Sequence, residues 1–151
     1  MSAQSATYSF LDLSVVINNP VLAAPITFAG NLGTGSLTVT MHTERTVLDT
    51  AADGTVMPSY VAGDSGAFTM EAQQTSSLHQ ALLDLYNTLK AAADNGDVSN
   101  WAATTISARN IISASQHRGT GVAFSKIPDK PYVAQGGRVT WSLQACNIDN
   151  A

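Results

Sequence analysis

At 151 residues the chain has room for one domain with a real core, and its 44% hydrophobic content suits a globular protein. Charged residues make up only 12%, about half the usual ~25%, so a surface of neutral polar residues covered by copies of itself or by partners is expected. The net charge of −4 and the dispersal of the basic residues (Arg45, Lys90, Arg109, Arg118, Lys126, Lys130, Arg138) exclude a nucleic-acid-gripping stripe.

The opening MSAQSATYSF has neither a basic n-region nor an apolar h-region, so no secretion signal is expected. No apolar run approaches the ~20 residues of a membrane helix, and a soluble, cytoplasmically made protein with no membrane insertion of its own is expected. Residues 1–7 are small and polar and read as a flexible N-terminal arm. Tyr8–Asn18 reads as a first strand, Asn18-Asn19-Pro20 as a turn and Pro25–Phe28 as a short second strand. A glycine-rich bend, Gly30 to Gly35, leads into the stretch that organises the chain.

That stretch runs from Ser36 to Thr75. In SLTVTMHT, Leu37, Val39 and Met41 alternate with Ser36, Thr38, Thr40 and His42; in GAFTMEAQQT, Phe68, Met70 and Ala72 oppose Ala67, Thr69, Glu71 and Gln73. Period-two alternation predicts two half-buried, antiparallel strands. Between them lies a loop of residues 44–65 that is too long for a hairpin turn yet holds Val47, Leu48, Val56, Met57, Tyr60 and Val61. A loop of that length in a compact domain is functional or disordered, and this one is too apolar for disorder. It reads as an arm that is mobile until it docks.

The only convincing helix spans residues 77–94, with Ser77 and Gln80 as a capping box and Leu78, Ala81, Leu82, Leu85, Leu89 and Ala92 as its apolar stripe. His79, in its first turn, reads as a surface group, and Asn95-Gly96 as the stop. Beyond it, Trp101–Arg109, Ile111–Gln116, Gly121–Lys126 and Arg138–Asn147 are candidate strands. The fold class is α+β and mainly β: one domain over residues 1–151, an antiparallel sandwich or barrel with one amphipathic helix on a face or end of the sheet.

No chemistry emerges. Gly63-Asp64-Ser65-Gly66 copies the four residues around the nucleophile of trypsin-like serine proteases, but a triad needs a histidine and an orienting carboxylate, and the one upstream histidine, His42, lies in the same strand–loop–strand unit. The tetrapeptide reads as a polar turn entering a strand. His42, His79 and His117 have no metal-ligand spacing, and the Gly-Thr-Gly runs at 33–35 and 119–121 lack a phosphate loop's lysine and helix. Cys146 is alone, which excludes an intrachain disulfide and reads as a small, at least half-buried hydrophobe. No catalytic residue, cofactor or metal is expected.

The order of elements resembles the tail tube proteins of contractile-tailed bacteriophages. The opening Tyr8-Ser9-Phe10-Leu11-Asp12, the Ala52-Asp53-Gly54 loop, the Gly63–Gly66 strand entry, Tyr132, Gly136, the Val139-Thr140-Trp141 strand and the closing Ile148-Asp149 follow that family's order across nearly the whole chain. The alanine-rich tract Ala91–Trp101 departs from it. The resemblance implies a tail-tube-like fold and a non-enzymatic subunit of homo-hexameric rings. These would stack into a hollow conduit through which DNA passes without specific binding. It implies Thr38, Thr40, Thr69, Glu71 and Gln73 as lumen-lining, and Val47, Leu48, Val56, Met57, Tyr60 and Val61 as the ring-stacking interface. The implied partners are the sheath, tape measure, baseplate or initiator and terminator proteins of a virion assembled in the bacterial host cytoplasm. The competing readings are the tube of a contractile secretion or bacteriocin-type injector, a monomeric β-sandwich decoration or binding module, and a small hydrolase using Ser65.

Overall fold

The computed structural model describes residues 7–28, 33–112 and 114–151. Seven strands form one antiparallel sheet: β1 (Leu13–Asn18), β2 (Ile26–Phe28), β3 (Thr34–Met41), β6 (Gly66–Gln73), β7 (Thr104–Asn110), β8 (Gln116–Phe124) and β9 (Arg138–Asn150). Their order is β2-β1-β7-β8-β9-β6-β3. Residues 44–65 carry two further strands, β4 (Thr46–Thr50) and β5 (Val56–Tyr60), that pair only with each other. The helix α1 (Ser77–Asp94) crosses from β6 to β7 over one face of the sheet.

The central pair is antiparallel, as expected, and its register sets Leu37 opposite Met70, Thr38 opposite Thr69 and Val39 opposite Phe68. The sheet curls into a half-barrel. Leu37 and Val39 of β3, at one edge, share the walls of a cleft of about 400 Å³ with Leu13 of β1 and Ala108 of β7 from the other wing. Of the sandwich and barrel alternatives, the barrel-like one is adopted.

One core fills the concavity under α1. Leu78, Leu82, Leu85 and Leu89 from the helix meet Phe68, Met70, Val122, Trp141 and Leu143 from the sheet, all buried. Tertiary burial, not propensity, holds such a helix. Its N-cap is Ser76, whose hydroxyl accepts the His79 N–H at 3.2 Å, one residue before the expected Ser77. Asn95 ends it and Gly96, at φ +88°, turns the chain out. A ladder of edge-on rings continues from Trp141 to Phe124 (5.4 Å), Tyr86 (5.5 Å) and Trp101 (6.1 Å), tying β9, β8, α1 and the post-helix turn together.

His79 is the main departure from expectation: it is buried, and its Nδ1 accepts the Trp141 Nε1–H at 3.0 Å. The pairing fixes the neutral tautomer with the proton on Nε2, which among the described residues is buried without a hydrogen-bond partner. The first strand starts later than its sequence suggests. Ser9 accepts the Leu11 N–H on its hydroxyl and the Asp12 N–H on its carbonyl, winding Phe10–Asp12 into a 3-10 turn. Trp101 to Ala103 form a turn before β7. Of the strand expected at Ile111–Gln116, Ile111, Ile112, Ala114 and Ser115 instead lie between β7 and β8 and only Gln116 is in a strand, as the first residue of β8; Ser113 lies outside the described residues. The Asn110 side chain accepts the Ile112 N–H, and Ala114 has φ +59°. The strand expected at Gly121–Lys126 is the second half of β8 and ends at Phe124. Cys146 is exposed rather than half-buried, seated beside Gly121 on the solvent side of β9, where a Cβ on Gly121 would crowd it at 2.9 Å. Of the arm expected over residues 1–7, residues 1–6 lie outside the described residues, as do residues 29–32 of the glycine-rich bend.

Burial, and secondarily the charge of Lys130, lowers the His79 pKa below its ordinary 6.5. The unfolded chain therefore binds a proton at pH values where the folded chain does not. This contribution to stability is full above about pH 6.5 and is lost as pH falls. Urea midpoints should drop between about pH 7.5 and about pH 5.5 in the wild type and drop distinctly less in His79→Gln. Equal drops would contradict the assignment.

Candidate assembly interfaces

The sheet has a second face, and it is the polar one. Alternation places Phe68, Met70 and Ala72 in the core, so Thr69, Glu71 and Gln73 project from the opposite side. The register aligns them with neighbours on both flanks: Thr38 with Thr69 and Ser142, Ser36 with Glu71 and Thr140, Gln73 with Arg138. The five predicted residues Thr38, Thr40, Thr69, Glu71 and Gln73 thus occupy one surface across β3 and β6, exposed or half-buried. Thr140, Ser142 and Gln144 of β9 extend it; the alternation of that strand was legible, but only the pairing to β6 shows that the two polar faces coincide.

The charges on this face are mutually compensated or scattered. Glu71 lies 3.7 Å from Arg138, whose guanidinium packs where a side chain on Gly35 would sit. His42 Nε2 pairs with Gln144 Oε1 at 2.9 Å on this face, and His117 Nδ1 with Asn150 Oδ1 at 2.6 Å on the opposite, cleft side of the sheet. Every histidine is therefore engaged by a β9 residue. Among the described residues no three His, Cys, Asp or Glu side chains are grouped to hold a metal. Both outer strands, β2 and β3, carry a backbone edge with no strand beside it among the described residues. The eight-residue edge of β3 is a template for another strand.

The second surface is the β4–β5 hairpin. What the sequence presented as a structureless loop folds on itself, with Thr46 opposite Tyr60, Leu48 opposite Pro58 and Thr50 opposite Val56. Gly54, at φ +87°, closes the tip, and the Asp53 carboxylate accepts the Thr55 N–H at 3.0 Å, which holds its pKa below the usual range. Pro58 is tolerated because both strands are edges. Every residue of both strands is exposed, Tyr60 by 77% and Leu48 by 64%. The register divides the six predicted interface residues. Leu48, Val56 and Tyr60 share one face with Pro58, Val47 and Met57 lie on the other, and Val61 sits half-buried at the stem.

Arg45 pins that stem. Its guanidinium donates to the Val61 carbonyl at 3.1 Å, forms an ion pair with Asp64 and lies 5.5 Å from the Tyr60 ring centre. The hydrogen bond to Asp64 raises its pKa further. The Gly63–Gly66 tetrapeptide is the hairpin's return leg. The Asp64 carbonyl accepts the Ile148 N–H at 2.7 Å and the Ser65 carbonyl the His42 N–H at 3.0 Å.

A protein-family model described as the bacteriophage PhiTE tail tube protein matches residues 5–151. No curated protein matches. Solved structures share the fold at low identity, three of them as follows. The sheath/tube terminator of an extracellular contractile injection system, PVC, in its extended state, aligns with TM-score 0.60 and 9% identity over 99% of each chain. The PVC sheath-tube complex gives 0.59 and 10% over 96% of this chain and 91% of that one. The baseplate of the anti-feeding prophage gives 0.58 and 13% over 100% and 97%.

An exposed ion pair contributes little to global stability, so Arg45→Ala should leave the urea midpoint nearly unchanged. Amide exchange across residues 46–60 should nevertheless quicken several-fold relative to the sheet. Unchanged exchange there would show that the guanidinium does not hold the stem.

Proposed function

The chain belongs to the bacteriophage PhiTE tail tube protein family, and on that premise we propose that it is the structural, non-catalytic subunit of a hollow phage tail tube. Hexameric rings of the subunit stack along one axis inside a contractile sheath. The polar face of the curled sheet, with Thr38, Thr40, Thr69, Glu71 and Gln73, lines the channel, and each half-barrel pairs its free edges with those of neighbours to close a continuous barrel. Because phosphate affinity needs clustered Lys and Arg, a wall of hydroxyls and amides lets DNA pass without gripping it. The β4–β5 hairpin reaches the next ring and buries Leu48, Val56 and Tyr60, with Val47, Met57 and Val61 supporting the contact. Sheath, tape measure, baseplate or initiator and terminator proteins complete the assembly, in a virion tail put together in the host cytoplasm.

The observation that carries this reading beyond the family is the hairpin: ten strand residues, all exposed, with large apolar side chains on both faces and nothing among the described residues to cover them. The likeness to injection-system components extends to the fold, and family membership favours a phage tail over a bacteriocin-type or secretion injector.

Negative-stain electron microscopy of the purified protein, alone and with baseplate components, should show rings or tubes of uniform diameter. A monomer under both conditions would overturn the proposal. Replacing Leu48 and Tyr60 by Asp should abolish tubes without changing the far-ultraviolet circular dichroism spectrum, because neither side chain belongs to the core.

A further inference from the structure

The hairpin leaves the sheet between Met41 and Gly66, and Gly66 pairs with Ala145, in the second half of β9. At the opposite end of the same strands, residues 125–137 form a strap from Phe124 of β8 to Arg138 of β9. The eight residues of β6 separate the two by ~25 Å. The strap has no regular secondary structure, yet it is fastened. Gln74 Nε2 donates to the Pro131 carbonyl at 2.7 Å, the Gln74 N–H donates to the Gly137 carbonyl at 3.1 Å, and Pro128 is buried. It nonetheless presents Tyr132, 84% exposed, Val133, 68% exposed, and Ile127 to solvent.

Charge distinguishes the two ends. The hairpin, residues 46–60, carries Asp49 and Asp53 and no base. The strap carries Lys126 and Lys130 against the single Asp129, with the Lys130 ammonium 5.7 Å from the Tyr132 ring centre. We infer that the strap is the acceptor for the β4–β5 hairpin of a second copy of this chain, so that an acidic, apolar hairpin at one end of each subunit seats on a basic, apolar strap at the other end of the next. Donor and acceptor on opposite ends make a heterologous contact, which propagates as an open stack and does not close into a dimer. The other exposed apolar patch, Tyr8, Leu11, Ile111 and Ile112, lies at the hairpin's own end and cannot meet a hairpin in a head-to-tail stack. Apolar side chains anchor the contact; the opposed charges choose its direction.

This inference rests on the tube reading, and one experiment separates their failures. Tubes of the full chain are treated with a carbodiimide, which joins carboxylates to amines at zero length, and the products are mapped by mass spectrometry. Links from Asp49 or Asp53 to Lys126 or Lys130 of another copy are expected in tubes and not in dilute monomer. A charge swap adds a functional readout. Asp49→Lys with Asp53→Lys, and separately Lys126→Asp with Lys130→Asp, should each raise the critical concentration for tube growth at least tenfold. A chain carrying all four substitutions should recover most of that loss. Tubes that form with the aspartates linked elsewhere, or no recovery in the combined variant, would overturn the acceptor assignment and leave the tube standing. Absence of tubes in the wild type under every condition would overturn both. All four positions are exposed, so an unchanged melting midpoint separates lost stacking from lost folding.

Discussion

One helix cannot cover seven strands. An 18-residue helix is ~27 Å long but only ~10 Å wide, whereas seven flat strands would extend ~29 Å across. A flat sheet would leave the apolar sides of β1, β7 and β3 in water. Curling brings Val15, Ile17, Ile106 and Ala108 of one wing and Leu37 and Val39 of the other around the same core that α1 fills. The curl therefore follows from how few elements are available to bury the sheet. Its corollary is that, among the described residues, the second face has no layer and must be polar, and two strand edges remain bare.

β9 holds this arrangement together. Its 13 residues pair with β8 on one side and β6 on the other, and its Trp141 sits under the helix N-terminus, bonded to His79. A buried, neutral histidine at the third helical residue serves twice. It satisfies the indole N–H, which would otherwise be a costly buried donor, and its uncharged state suits the positive end of the helix dipole. Asn19 plays a similar part at the far wing, donating to Thr104 Oγ1 at 2.9 Å and to the Asn100 carbonyl at 3.1 Å. Both polar contacts link residues far apart in the chain, and periodicity carries no trace of such pairs.

That is also where legibility in the sequence stopped. The alternation and antiparallel pairing of β3 and β6, the bounds of α1 and the start of β9 follow from period and caps, because burial on one side leaves its mark on every second or every third to fourth residue, whereas the register comes only from the pairing. The hairpin did not follow. TVLDT and VMPSY bury neither side, so they have no alternation to read, and Pro58 argues against a strand unless that strand is an edge. The Asp53-Gly54 turn was the available signal. The turn after β7, which opens on Ile111 and Ile112, failed for the converse reason: β-branched residues favour a strand, but the Asn110 side chain takes the Ile112 N–H first.

The unburied hairpin and the scarcity of charge have one physical explanation in the proposed tube. A two-stranded ribbon is marginal in water by itself, so one held by a closed tip and the Arg45 clasp is ordered enough to dock without a large entropic cost, yet gains most of its burial only on docking. A surface made of threonine, serine and amides forfeits little when covered, because neutral groups can be re-paired across an interface while buried charges must be compensated. Among the described residues the three ion pairs, Arg45–Asp64, Lys90–Asp94 and Arg138–Glu71, are all solvent-exposed, where each contributes little to the fold. These ion pairs thus add little to the stability of the subunit. In the proposed stack, the role left to charge is orientation: which end of one copy meets which end of the next.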